Sequence, residues 1–198
     1  MDNIDLLIKE LGAHRVKYNE PLEYYLFRKD KIVAQFFYIA TNRRELEKIL
    51  ELCSKLKIAF LVFGNGTKII FDKEKIRKLV IRNRAAGLRI VGIKGKIDKG
   101  NLPVGKQVVG VDEAKVEIDS GVSVSILNEY LNKQGLAVPV WQSSLNGTIG
   151  GSLLVDPRML EKCEKIKIWD KGHQEISPAE LRNKHIVLSV VMNFKSAV

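Results

Sequence analysis

Phe63-Gly64-Asn65-Gly66-Thr67-Lys68-Ile69 follows the apolar run Ile58-Ala59-Phe60-Leu61-Val62 and leads into Ile70-Phe71. The pattern reads as strand, tight glycine loop, strand. Glycine has no Cβ, so its backbone takes positive φ and lets a bulky anion come close. Successive free N–H groups in such a loop form a concave nest for a phosphate. Thr67 adds a hydroxyl and Lys68 a positive charge. Asn-Gly between two apolar runs is also the strongest short-range hairpin signal. What precedes and follows the loop has to decide between the two.

Upstream, residues 31–40 are rich in β-branched and aromatic residues and read as a buried strand. Asn42 with Glu45 three residues on opens a helix, and Leu46, Ile49, Leu50, Cys53 and Leu56 form its apolar stripe. A short amphipathic helix spans 3–11 and stops at Gly12. Residues 13–30 are polar and irregular, broken by Pro21. A further short strand is expected near 78–82. Residues 31–82 thus read β-α-β-loop-β-β, a small α/β half.

Downstream, glycine recurs at Gly87, Gly92, Gly95, Gly100, Gly105 and Gly110, between short pieces that read as β-hairpins. Ala114, Val116 and Ile118 alternate on one face of a strand. Ser123 or Ser125 caps a helix carrying Val124, Leu127 and Leu131, which ends at Gly135. Lys165–Trp169 is a strand, Lys171-Gly172 a turn, Ser177-Pro178-Ala179-Glu180 a helical start, and Ile186–Phe194 the last strand. Between them lies Trp141-Gln142-Ser143-Ser144-Leu145-Asn146-Gly147-Thr148-Ile149-Gly150-Gly151-Ser152. Such a glycine- and hydroxyl-rich backbone suits close contact with a flat or phosphorylated ligand. A turn followed by a glycine bulge is its plainer explanation.

The totals bound the answer. The chain has 198 residues, of which 45% are hydrophobic, an ordinary share for one globular domain or two small halves. It has no run of about 18 apolar residues, and no membrane span is expected. Its first residues are acidic and carry no signal-peptide n-region. Cys53 and Cys163 form no CxxC, and a reducing cytoplasm with both thiols free is the expected setting. The net charge of +10 is concentrated: residues 51–100 hold thirteen Lys/Arg against four Asp/Glu. Lys73, Lys75, Arg77, Lys78, Arg82, Arg84, Arg89, Lys94, Lys96 and Lys99 form a block that attracts polyanions or is simply a solvated face. His14, His173 and His185 have no metal-site spacing, so no metal is expected. Trp141 and Trp169 are expected to pack in the core or at a rim.

Two glycine loops in this order resemble the FAD-binding domain of the vanillyl-alcohol-oxidase and p-cresol-methylhydroxylase type, and within it the UDP-N-acetylmuramate dehydrogenase (UDP-N-acetylenolpyruvoylglucosamine reductase) family. That family has a helix after a Thr, a strand, Gly-x-Gly-Ser-Asn and a Leu-Val-Ile strand. The matching residues are Thr41, Phe60–Phe63, Gly64-Asn65-Gly66-Thr67-Lys68 and Leu79-Val80-Ile81. Its Gly-Thr-Val-Gly-Gly is matched by Gly147-Thr148-Ile149-Gly150-Gly151. The likeness covers roughly residues 20–195.

The resemblance implies an α+β fold: one FAD-binding domain over 1–198, with an α/β half (1–82), a β-rich half (83–198), flanking helices and a cofactor groove between them. FAD would touch Phe63, Gly64, Asn65, Gly66, Thr67 and Lys68 at its pyrophosphate. Ser143, Gly147, Thr148, Ile149, Gly150 and Gly151 would run along the rest. No His or Cys stands in either loop, so FAD is expected to be noncovalent. The family's Gly-Tyr-Arg-x-Ser is missing: Arg182-Asn183-Lys184-His185-Ile186 stands there, and Arg158 and Arg182 are the candidate replacements for its arginine. The family's substrate domain, with its proton donor, should follow Val198. No catalytic residue is assigned, and a partner chain supplying the substrate site is one expectation. A cofactor-free relative acting as a basic module for nucleic acid or an acidic partner is the alternative, with nucleic acid less favoured.

Overall fold

The computed structural model describes residues 2–97 and 109–197. Its first part opens with α1 (Asn3–Leu11), which ends at Gly12 with φ 89°. Strands β1 (Val16–Pro21) and β2 (Val33–Ala40), helix α2 (Arg43–Lys55), and strands β3 (Phe60–Phe63) and β4 (Lys75–Asn83) follow. They form a sheet of order β1-β2-β4-β3. β1 runs antiparallel to β2, while β2, β4 and β3 are parallel.

Two expectations change here. Residues 13–30 are not all irregular, because β1 pairs Val16 with Tyr38 and Pro21 with Val33. Its residues are mostly exposed apart from Val16, so no alternation marks it. Pro21 is tolerated because it ends an edge strand. Ile70-Phe71 is not a strand. β3 and β4 are parallel, so the chain must cross back before β4 starts at Lys75, which also rules out a hairpin at Asn65-Gly66.

Helix α2 begins as its sequence dictates. The Asn42 side chain accepts the Glu45 N–H at 3.0 Å. Glu45 reaches back to the Thr41 N–H at 2.8 Å, one residue further than a standard capping box. Leu46, Ile49, Leu50 and Cys53 are fully buried, each large side chain contributing about 1.5–3 kcal/mol of apolar burial.

The second part is an antiparallel sheet of order β5-β6-β9-β7-β8. Its strands are β5 (Leu88–Ile97), β6 (Val109–Asp119), β7 (Cys163–Trp169), β8 (His173–Ile176) and β9 (Ile186–Lys195). Helices α3 (Val124–Lys133), α4 (Ile149–Leu153) and α5 (Pro157–Lys162) pack on it. The expected series of hairpins is one ladder, β5 against β6, with register shifts at Gly92 and Gly95. Those glycines mark bulges instead of turns. Gly100, Gly105 and Lys99 lie outside the described residues. The Ala114, Val116 and Ile118 face is buried as the alternation requires.

The two sheets share a core. Trp169 and Leu188 of the second sheet pack with Leu7, Leu46, Ile49, Leu79 and Ile81 of the first. A charged clasp lies beside it. Arg43 Nη1 stands 2.7 Å from Glu117 Oε1 and 3.0 Å from Ser189 Oγ. Arg89 and Lys167 also pair with Glu117, whose side chain is only 6% exposed. Burial pushes the Glu117 carboxyl up, but hydrogen bonds from Arg43 and Arg89 outweigh it and hold it at about 2.

Candidate functional site

The first glycine loop sits at the carboxyl end of β3. Gly66 adopts φ 64°, the left-handed region that glycine enters at little cost. A Cβ there would also lie 3.0 Å from Leu26 Cα. Among the described residues, the amides of Gly64, Asn65, Gly66, Thr67 and Lys68 donate to no protein acceptor. Five consecutive unclaimed donors in one bend make a nest for an anion.

The second loop is pinned to the turn between β6 and α3. Val124 N donates to Gly147 O, Ile149 N to Val122 O, and Gly150 N to Ser120 O, each within 2.9 Å. Gly150 and Gly151 therefore lie in the first turn of α4, not in a strand bulge. Asp156 stiffens the preceding stretch by accepting the amides of Gln142 and Ser143 at 2.7 and 2.8 Å. Burial alone would raise its carboxyl; these amides outweigh that and leave it below the ordinary range.

The two loops meet. A Cβ on Gly64 would overlap the Thr148 side chain. Asn65 Nδ2 donates to Asn146 O at 3.0 Å, and Lys68 Nζ reaches Ser143 Oγ at 3.5 Å. Partial burial lowers the Lys68 pKa, and the Asp156 carboxylate partly offsets this.

Around the contact lie two adjoining cavities. One, of about 390 Å³, is lined by the whole first loop from Phe63 to Lys68 and by Gly147, Thr148, Gly151 and Ser152. The other, of about 410 Å³, runs from Phe60, Phe63 and Gly64 past Thr148, Gly150 and Gly151 to Asn183–Val187. Both volumes are within the range of small-molecule sites. Phe63, Gly64, Thr148, Gly151 and Asn183 border both.

Most residues expected at the site are brought together, with exceptions. Ile149 is fully buried in the core of the second sheet and borders neither cavity. Ser143 borders neither as well, and its Oγ is met by Lys68 Nζ at 3.5 Å. Arg158 and Arg182 turn to main-chain carbonyls, of Val140 and of Ala179 and Leu181, and line neither cavity. Asn183, Lys184 and His185 line the larger one instead. Lys184 Nζ is held by Asp170 at 2.8 Å, and His185 Nδ1 accepts the Arg182 N–H at 3.2 Å. These three stand where the Gly-Tyr-Arg-x-Ser pattern is missing, and that departure was their only signal in the sequence. Ser152, the last hydroxyl of the second glycine stretch, is not among the expected site residues, yet it lines the smaller cavity and its buried Oγ has no hydrogen-bond partner.

Cys53 and Cys163 lie away from both cavities, free, with burial pushing each thiol up to about 12. Trp169 is buried in the shared core, and Trp141 donates to Asn128 Oδ1 at 2.8 Å. Among the described residues no cluster of His, Cys, Asp and Glu is arranged to hold a metal. Among them too, no helix is long and apolar enough to cross a membrane.

A family model for an FAD binding domain matches residues 34–156, which include both loops and the contact between them. The chain belongs to that family. This FAD-binding domain is 26% identical over 147 residues to UDP-N-acetylenolpyruvoylglucosamine reductase 1 of Bacillus cereus, covering 74% of the chain and 42% of the relative. It is 22% identical over 175 residues to the Caldanaerobacter subterraneus reductase, covering 86% and 51%. The domain thus spans about half the length of these curated relatives.

Solved structures agree on the fold. The Thermus caldophilus UDP-N-acetylenolpyruvylglucosamine reductase superposes with a TM-score of 0.61 at 15% identity, over 92% of this chain and 62% of its own. Alkyldihydroxyacetonephosphate synthase gives 0.65 at 16%, over 97% and 40%. The two-sheet α+β architecture of this FAD-binding domain is shared with these solved structures. The comparisons lend the nucleic-acid alternative no support.

Proposed function

We propose that this domain holds FAD noncovalently as the flavin-carrying part of an oxidoreductase of the UDP-N-acetylenolpyruvoylglucosamine reductase kind. The observation that carries the reading is the meeting of Gly64 with Thr148, which makes two distant glycine loops one wall of a continuous groove. The pyrophosphate is assigned to the amides of Gly64 to Lys68, with the Lys68 ammonium and Thr67 hydroxyl beside it. Five unclaimed amides, a side-chain-free Gly64 and the unpartnered Ser152 Oγ suit an anionic, hydrogen-bonding ligand. Thr148, Gly150 and Gly151 border the path of the remaining cofactor toward Asn183, Lys184 and His185.

Noncovalent attachment is supported by the linings. No Cys borders either cavity, and the one His, His185, has Nδ1 engaged by Arg182 and Nε2 3.7 Å from Asp170. FAD supplies hydride transfer when bound; the chain's residues bind, orient and screen it. Reduction of an enolpyruvyl group also needs a proton donor placed at the second carbon. In this reading that donor comes from a part of the enzyme beyond these residues or from a partner chain, in a reducing cytoplasm. The test is the visible spectrum of the purified domain after FAD is added and the excess removed. Retained flavin absorbance, released on denaturation, is expected; a colourless protein overturns the proposal.

A further inference from the structure

A further cavity has no part in the groove above. It measures about 610 Å³ and is lined by Leu61, Phe71 and Ile76 together with Asp72, Lys73, Lys75, Arg77 and Lys78. None of these residues borders the two cavities around the glycine loops. Leu61 shares a face of β3 with Phe63, which borders both groove cavities, so this cavity lies further back along the same strand and has no lining residue in common with the groove.

Among the described residues, the cations here are not neutralised by neighbouring carboxylates, unlike several others in the molecule. Arg43, Arg89, Lys115 and Lys165 each meet a carboxylate. Lys73, Lys75, Arg77 and Lys78 are exposed and form no ion pair among the described residues. The ladder between β2 and β4 slips between Ile76 and Leu79, so Arg77 and Lys78 fall at an irregularity. The floor beneath is apolar, belonging to the cluster around Phe37, Phe63 and Val80, and Ile70 beside it is 74% exposed. A concave apolar floor rimmed by four unpaired cations against one carboxylate, Asp72, complements one ligand chemistry: an apolar body ending in an anionic head. The body gains from leaving water, and the head gains from several positive charges at a partly shielded rim.

We infer that this cavity binds an anionic amphiphile, its hydrocarbon or aryl part on Leu61, Phe71 and Ile76 and its phosphate or carboxylate among Lys73, Lys75, Arg77 and Lys78. The site is independent of the flavin reading. The same chemistry can arrive as a free acyl or aryl phosphate or as the headgroup region of an acidic lipid.

Dodecyl phosphate, kept below its micelle-forming concentration, is the probe, and binding is followed by calorimetry with FAD present. Saturable binding of one equivalent with Kd on the order of 10–100 μM is expected. The K75E/R77E double variant, both positions exposed, should keep its Tm and lose at least about tenfold in affinity. Uncharged dodecanol should bind at least about tenfold more weakly than the phosphate. Saturation by the free ester marks a soluble ligand. Recruitment to phosphatidic-acid vesicles without it marks the same chemistry presented by a lipid. Equal binding of dodecanol or of dodecyltrimethylammonium, unchanged affinity in K75E/R77E, or equal binding of an acidic peptide lacking an apolar body would each overturn the inference. Binding that FAD competes away would overturn its independence from the groove.

Discussion

Gly64 and Thr148 are in contact so closely that a single added carbon on Gly64 would occupy the space of the Thr148 side chain. One residue directly follows a parallel strand of the first sheet; the other caps a short helix on the second. The contact therefore sets the spacing of the two halves where their loops line the groove.

Gly64→Ala should push Thr148 aside and disturb both loops. Overpacking of this kind costs about 1–3 kcal/mol, and FAD affinity should fall by at least about tenfold. The double variant G64A/T148G should recover most of the loss. Flavin fluorescence titration of the two singles and the double measures this coupling; purely additive losses would show that the contact does not matter.

Lys68→Met should leave Tm within about 1–2 °C of the parent, since Lys68 makes a single long hydrogen bond. FAD affinity should drop by about 1–2 kcal/mol and become less sensitive to salt. Titrations at low and high ionic strength check both parts.

Ser152→Ala tests the unpartnered hydroxyl. Removing a buried hydroxyl that has no hydrogen bond relieves a desolvation cost, so the flavin-free protein should be unchanged or up to about 1–2 kcal/mol more stable. Chemical denaturation without FAD reads this directly. A marked loss of stability would mean that Oγ is satisfied in solution.

Glu117 supplies a pH signature. Its folded value of about 2 lies below the ordinary glutamate range near 4.3, so the unfolded chain binds the proton first. The stabilisation is complete above the unfolded value and is lost as pH falls from about 4.5 toward 2. Glu117→Gln should lower stability at neutral pH by about 2–4 kcal/mol, because Arg43, Arg89 and Lys167 lose their shared carboxylate. It should also flatten the acid limb of the Tm–pH curve, measured by calorimetry.

What was legible in the sequence follows from how local the signals are. Helix α2 was written in Asn42, Glu45 and its apolar stripe, and the cap and buried face follow them. Strand β1 was not, because an exposed edge strand has no buried face to alternate. The parallel pairing of β3 and β4 depends on a crossover that no short motif encodes, so Ile70-Phe71 misled. The glycine loops were visible as composition, but Ile149 was drawn into the core by its place in a short amphipathic helix. Asn183, Lys184 and His185 reach the groove only through the long return before β9, and nothing in their own spacing announces it.

The central claim is that both glycine loops grip one dinucleotide. Amide hydrogen exchange with and without FAD tests it most directly. Gly64 to Lys68 and Gly147 to Gly151 should gain protection together, at the same FAD concentration, while amides around Lys75 to Lys78 stay unchanged. Protection confined to one loop, or to neither while flavin is bound, would contradict it.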